Sequence, residues 1–198
     1  MNFEKGDNIM SSVSEKKFQY IGWKIDNNGS DVSLNSRIYD DVNIIFEQLK
    51  HKNFVIAIGL NPSNTTEFND DVTNLYLRDK IYKELKTDGY LLTNLCCKIE
   101  SDSQNIRIGD FDDSHICDLI MLIEQFTEKQ IIIFFGQTGT KFLNNNKISA
   151  FNKLKELLLK EKKRIYYTRN SPKFIHPGRS GQDYEFKLLE DDRVLEDH

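Results

Sequence analysis

Residues 54–60 read Phe-Val-Ile-Ala-Ile-Gly-Leu, an apolar run with no polar alternation. A strand with one wet face alternates apolar and polar residues. A strand covered on both faces does not, so this run predicts a strand in the middle of a sheet with helices above and below it. It ends in the breaker cluster Gly59-Leu60-Asn61-Pro62-Ser63. Comparable runs recur at 89–95, 131–135 and 165–168. Between them the apolar residues fall at helical spacing. Ile38, Val42, Ile45, Phe46 and Leu49 predict a helix over 37–50, and Leu75, Ile81, Tyr82 and Leu85 predict one over 72–85. Ile116, Leu119, Ile120 and Ile123 do so for 114–126, and Leu154, Leu157 and Leu158 for 151–160. A further extended stretch starts at Phe18 and runs into the turn signal Asn27-Asn28-Gly29-Ser30. Strands alternating with helices predict an α/β fold, three-layer αβα, with a mainly parallel central sheet. Ligands of such sheets collect at the carboxyl ends of the strands.

A chain of 198 residues holds one such core. Residues 1–15 are polar and expected to be flexible; 16–198 form a single α/β domain, with the motif-bearing core at 50–182. Thirteen Phe and eight Tyr exclude a disordered chain. No apolar run approaches the roughly 20 residues of a membrane helix, and the N-terminus carries no secretory signal. Three cysteines, with Cys96 and Cys97 adjacent, make neither a disulfide framework nor a four-cysteine metal site. Reduced thiols and a cytoplasmic location are expected. Cys117 is placed on the apolar side of its helix.

Several weaker signals read as structural. Gly136-Gln137-Thr138-Gly139-Thr140-Lys141 lacks the spacing and the ending of a phosphate loop and predicts a tight strand-to-helix turn. The pairs Asp70-Asp71 and Asp112-Asp113 fall where helix N-termini are expected, where acids suit the helix dipole. His51, His115 and His198 have no partner pattern. No metal and no cofactor are expected.

Charge is unevenly distributed. Residues 151–179 hold nine bases and two acids, a net +7, which leaves −11 for the rest of a chain whose total is −4. Overall acidity excludes a histone-like basic coat. The local excess predicts a track for a phosphate backbone made of Lys162, Lys163, Arg164 and Arg169, reaching a loop that ends at Arg179.

Three elements carry chemistry, each directly after a predicted strand of one sheet. They are Gly59-Leu60-Asn61-Pro62-Ser63, Thr93-Asn94-Leu95-Cys96, and Ile175-His176-Pro177-Gly178-Arg179. The order Gly-Leu-Asn-Pro, strand-terminal Asn-Leu-Cys, strand-Phe-Gly-helix and His-Pro resembles the uracil-DNA glycosylase superfamily, in particular its mismatch-specific and single-strand-selective branches. It is more similar still to a group of bacterial and phage proteins known only as a domain of unknown function. That group has Gly-Leu-Asn-Pro-Ser, an Asp-Asp-x-Thr stretch (Asp70-Asp71-Val72-Thr73 here), Asn-Leu and a terminal His-Pro. The resemblance covers roughly residues 50–180.

The resemblance implies a uracil-DNA glycosylase-like fold and a hydrolase of the DNA-repair type that cleaves an N-glycosidic bond. Such cleavage develops positive charge on the sugar and negative charge on the departing base. By resemblance, Asn61 positions the attacking water, and an amide orients a water without deprotonating it. Asn94 reads a base edge, because its carboxamide both donates and accepts. His176 donates to a base carbonyl oxygen as charge builds there. Gly59 and Pro62 let the backbone approach the base and stiffen the loop. The sequence departs from the pattern at Ser63, where the glycosylases often carry Gly, and in His-Pro-Gly-Arg, where Arg179 is suited to grip a phosphate. Phe68 is the nearest aromatic for stacking on a base. The implied partner is a nucleic acid or a nucleotide, with no membrane. Two alternatives stand beside hydrolysis on the same fold: a non-catalytic nucleic-acid or nucleotide binder, and a protein-binding module in phage–host conflict.

Overall fold

The computed structural model describes residues 18–25, 32–62, 72–100, 102–145, 147–170, 173–174 and 184–196. The strands are β1 (Phe18–Ile25), β2 (Val32–Tyr39), β3 (Phe54–Gly59), β4 (Gly89–Asn94), β5 (Ile131–Ile133), β6 (Ile165–Asn170), β7 (Lys173–Phe174) and β8 (Glu185–Leu188). The helices are α1 (Val42–Leu49), α2 (Val72–Leu85), α3 (Asp113–Gln125), α4 (Gly136–Leu143) and α5 (Ser149–Lys160). They form one α/β unit around a mixed sheet of order β2-β1-β4-β3-β5-β6-β7, with β8 also on β6.

The expected parallel sheet is its centre: β4, β3, β5 and β6 run parallel. Both edges are antiparallel, β1 and β2 on one side and β7 and β8 on the other. The central apolar runs divide by alternation. Phe54, Ile56 and Ile58 join the larger core with α1, α3 and α5, while Val55, Ala57, Tyr90, Ile132 and Phe134 join a smaller one with Leu77 and Ile81 of α2. Helices therefore cover both faces, which is why these strands carry no polar alternation.

Some local expectations are corrected. Helix α1 starts at Val42, not at residue 37, because the Asp41 carboxylate caps it by accepting from the Asn43 N–H at 2.8 Å. Ile38 belongs to β2. On α2 Ile81 is buried and Tyr82 and Leu85 pack against the same core as expected, but Leu77, one turn before Ile81, is buried while Leu75 is exposed. Leu75 and Leu77 lie about 200° apart around a helix, so only one of them can face the sheet. Cys117 is likewise exposed, since His115, Ile116, Leu119, Leu122 and Ile123 make up the buried stripe of α3. Asp112 does cap that helix, accepting from the Ser114 N–H at 2.9 Å. Gly136 opens α4, separated from the end of β5 by two residues, with φ 62°, a left-handed conformation suited to glycine. The turn expected at residues 27–30 and the pair Asp70-Asp71 lie outside the described residues.

Candidate functional site

Strand order locates the site. From β3 the chain passes to β4 on one side; from β5 it passes to β6 on the other. The connections leaving these two neighbouring strands thus diverge, and the carboxyl ends at such a switch point are where α/β sheets bind ligands. Gly59 ends β3, Asn94 ends β4, and Phe134 follows β5.

These three residues occupy one level of the sheet. Gly59 and Asn94 are direct register partners. One step beyond the pairs Ile58↔Ile133 and Ile133↔Tyr167 come Gly59, Phe134 and Thr168. By alternation all four project toward the α2 face, forming a row of Asn94, Gly59, Phe134 and Thr168 across the carboxyl edge. All three side chains of the row are buried. The bare Gly59 is what lets them fit. A Cβ there would lie 2.5 Å from Asn94 Oδ1 and 2.8 Å from the Phe134 ring.

Asn94 is the most telling member. It is 6% exposed, yet its carboxamide makes no hydrogen bond among the described residues. Held rigidly at the sheet edge, it offers a donor and an acceptor side by side. The backbone of Asn94 is engaged, because its carbonyl oxygen lies 2.7 Å from His115 Nε2.

The chain past β3 remains zipped to the chain past β4. Leu95 N–H donates to Gly59 O, Cys96 N–H to Leu60 O, and Glu100 N–H to Pro62 O. The Asn61 side chain adds to this seam by donating from Nδ2 to Glu100 O at 2.6 Å and to Pro62 O at 3.1 Å. Its Oδ1 accepts no hydrogen bond among the described residues. Asn61 therefore presents an oxygen, an acceptor able to orient a water by one of its protons. Beyond this seam Asp110 accepts from the Arg107 N–H at 2.8 Å and from Lys98 Nζ at 3.0 Å. These two donors, the backbone N–H first, hold its carboxyl below the usual range. Among the described residues no group of three His, Cys, Asp or Glu side chains is placed to hold a metal ion.

Of the residues expected at the site, Gly59, Asn61, Pro62 and Asn94 come together on neighbouring strand ends. Ser63, Phe68, His176 and Arg179 lie outside the described residues. The basic residues do not join them. Lys162, Lys163 and Arg164 form the turn that precedes β6, at the amino edge of the parallel sheet and opposite Asn94. Arg164 is committed to structure. It donates to the carbonyls of Ile123, Phe126 and Lys129 at the end of α3 and pairs with Glu161 at 2.9 Å. Lys162 pairs with Asp192 at 2.9 Å. Arg169 is at the carboxyl end of β6, but it alternates with Thr168 onto the other face and lies 3.9 Å from Glu185. Phe134, Thr168 and His115 are the members that sequence reading missed. Their signals were a second Phe before Gly136, a Thr closing an apolar strand, and a His on the apolar stripe of α3.

A family model described as "Protein of unknown function (DUF1643)" matches residues 46–177. The chain belongs to this family. The DUF1643 match takes in β3 to β6 and every residue of the row, so the site lies within the family's shared region. No curated protein and no solved structure matches the chain. No described helix is long and apolar enough to cross a membrane.

Proposed function

We propose that the carboxyl edge of β3 and β4 recognises a nucleobase and that the chain hydrolyses its N-glycosidic bond, in nucleic acid or in a nucleotide, in the manner of uracil-DNA glycosylases. The observation that carries this reading is the buried, unengaged carboxamide of Asn94, fixed beside Gly59 and Phe134. A carboxamide edge complements the adjacent N–H and C=O of a pyrimidine imide. Asn61 supports the same reading, since its anchored amide leaves only an oxygen to aim a water at the sugar carbon. In this proposal His176 donates to the leaving base, Ser63 and Phe68 border it, and Arg179 holds a phosphate.

The test is release of free base from single- and double-stranded oligonucleotides and from nucleotides carrying uracil or damaged bases. His176→Ala should slow release about 10²–10³-fold, the usual effect of losing one preorganised donor. Asn94→Asp should also change which base is accepted, because a carboxylate loses the donor and repels base carbonyls. No free base from any substrate would end the hydrolase reading.

A non-catalytic base or nucleotide binder is the second reading. Asn61 favours it, because the two hydrogen bonds to Glu100 O and Pro62 O give this residue a structural reason to be present without catalysis. Calorimetric binding of a base or nucleotide without turnover would select it.

A further inference from the structure

We infer that His115 is a positioning residue for Asn94, acting through the sheet from the opposite face to set where the carboxamide sits. The inference rests on the base-recognition reading above. The peptide joining Asn94 to Leu95 gives its N–H to Gly59 O at 2.9 Å, on the β3 side. In a planar trans peptide the C=O points the opposite way, here toward β1. The described β1–β4 register, however, ends at Phe18↔Thr93. Among the described residues no β1 residue is paired with Asn94, and its carbonyl accepts from His115 Nε2 at 2.7 Å.

A carbonyl oxygen only accepts, so Nε2 carries the hydrogen. The donor is held in place from two directions. His115 is the third residue of α3, whose start is fixed by the Asp112 cap, and its ring lies 5.4 Å from that of Phe18, tilted by 50°. It is fully buried. The last peptide of β4 is therefore pinned on both sides, by Gly59 and by His115. Rotation of that peptide would lift Oδ1 out of the space above Gly59. A histidine on an otherwise apolar helix stripe is costly unless its N–H is used, and here it is used on the residue proposed to read the base.

The experiment compares His115→Phe, which keeps ring volume without the donor, with His115→Gln, whose Nε2 reaches the same place. Three quantities are read: melting temperature, the side-chain amide NMR signals of Asn94, and calorimetric affinity for free uracil. Expected are displaced Asn94 signals and at least about tenfold weaker uracil binding in His115→Phe, with both restored in His115→Gln. Unmoved Asn94 signals in a folded His115→Phe would overturn the inference, as would a His115→Gln variant that folds like the wild type but fails to restore them. Should His115→Phe not fold, a through-hydrogen-bond coupling between His115 Nε2 and the Asn94 carbonyl carbon in the wild type, together with wild-type-like binding in His115→Gln, carries the same test. A wild type that binds no uracil, while His115→Phe still displaces the Asn94 signals, would sink the base reading and leave the positioning role intact. Uracil binding unchanged in His115→Phe would do the reverse.

Discussion

Gly59 and Asn94 face each other across the β3–β4 ladder, and Asn94 Oδ1 fills the space that any side chain on Gly59 would occupy. The glycine is thus required by its neighbour. Its own backbone needs no unusual conformation at the end of a strand.

Gly59→Ala tests this directly. Its Cβ would meet Asn94 Oδ1 at 2.5 Å and the Phe134 ring at 2.8 Å, so one of these two buried groups must shift. Overpacking of this kind costs about 1–3 kcal/mol. The variant should melt lower by that amount and should lose uracil binding by more than its stability explains, because the displaced group is the proposed recognition edge. Wild-type melting together with wild-type binding would show that Asn94 does not depend on the gap.

Arg164 supplies the second prediction. The carbonyls of Ile123, Phe126 and Lys129 and the Glu161 carboxylate take its guanidinium N–H groups, and its side chain is 13% exposed. Arg164→Ala should destabilise the fold by about 2–4 kcal/mol in denaturant unfolding, since it strands buried acceptors. Arg164→Lys should recover little of this, because an ammonium cannot reach all of these acceptors as a planar fork does.

Asp110 gives a pH dependence. Its carboxyl is lowered from 3.8, first by the Arg107 N–H and then by Lys98. A depressed acid stabilises the fold above its ordinary pKa, and that contribution fades as pH falls through the depressed value. Asp110→Asn should therefore be less stable at neutral pH by about 0.5–1 kcal/mol, a figure reduced for exposure. The two proteins should converge in acid. A gap that persists well below 3.8 would point to packing as the cause.

What the sequence made legible follows from where periodicity is unambiguous. The four central strands were readable because burial on both faces removes alternation; three lie within their expected runs and β6 extends two residues further, to Asn170. The start of α1 was not, since Ile38 and Val42 suit a helix by spacing and only the Asp41 cap separates them. Leu75 and Leu77 compete for one face of α2, and the choice is made by Ile81 and the sheet. At the site, Gly59, Asn61 and Asn94 stood out because each breaks an apolar run at a strand end. His115 did not, because its partner is a backbone carbonyl, which has no sequence signature. The basic run misled for a related reason. Linear charge density says nothing about which edge of a sheet the residues occupy, and Lys162–Arg164 turn out to precede β6 where Asn94 ends β4.

That placement makes the last prediction. Lys163 is exposed and five residues before Thr168, the β6 member of the row that contains Asn94. At a strand rise of about 3.3 Å per residue, β6 alone puts roughly 10 Å between Ile165 and that level, and Lys163 lies in the turn beyond Ile165. A free base cannot span such a distance, and screening weakens an exposed charge beyond about 8–10 Å. Lys163→Glu should therefore leave the affinity for free uracil within about twofold, whereas Asn94→Asp abolishes it. A single-stranded oligonucleotide is long enough to reach both. If its backbone crosses the amino edge, Lys163→Glu should weaken it equally for all sequences and lower the slope of log affinity against log salt by about 0.7. An unchanged slope would assign Lys163 to solvent, and the backbone would then be held from the carboxyl edge alone.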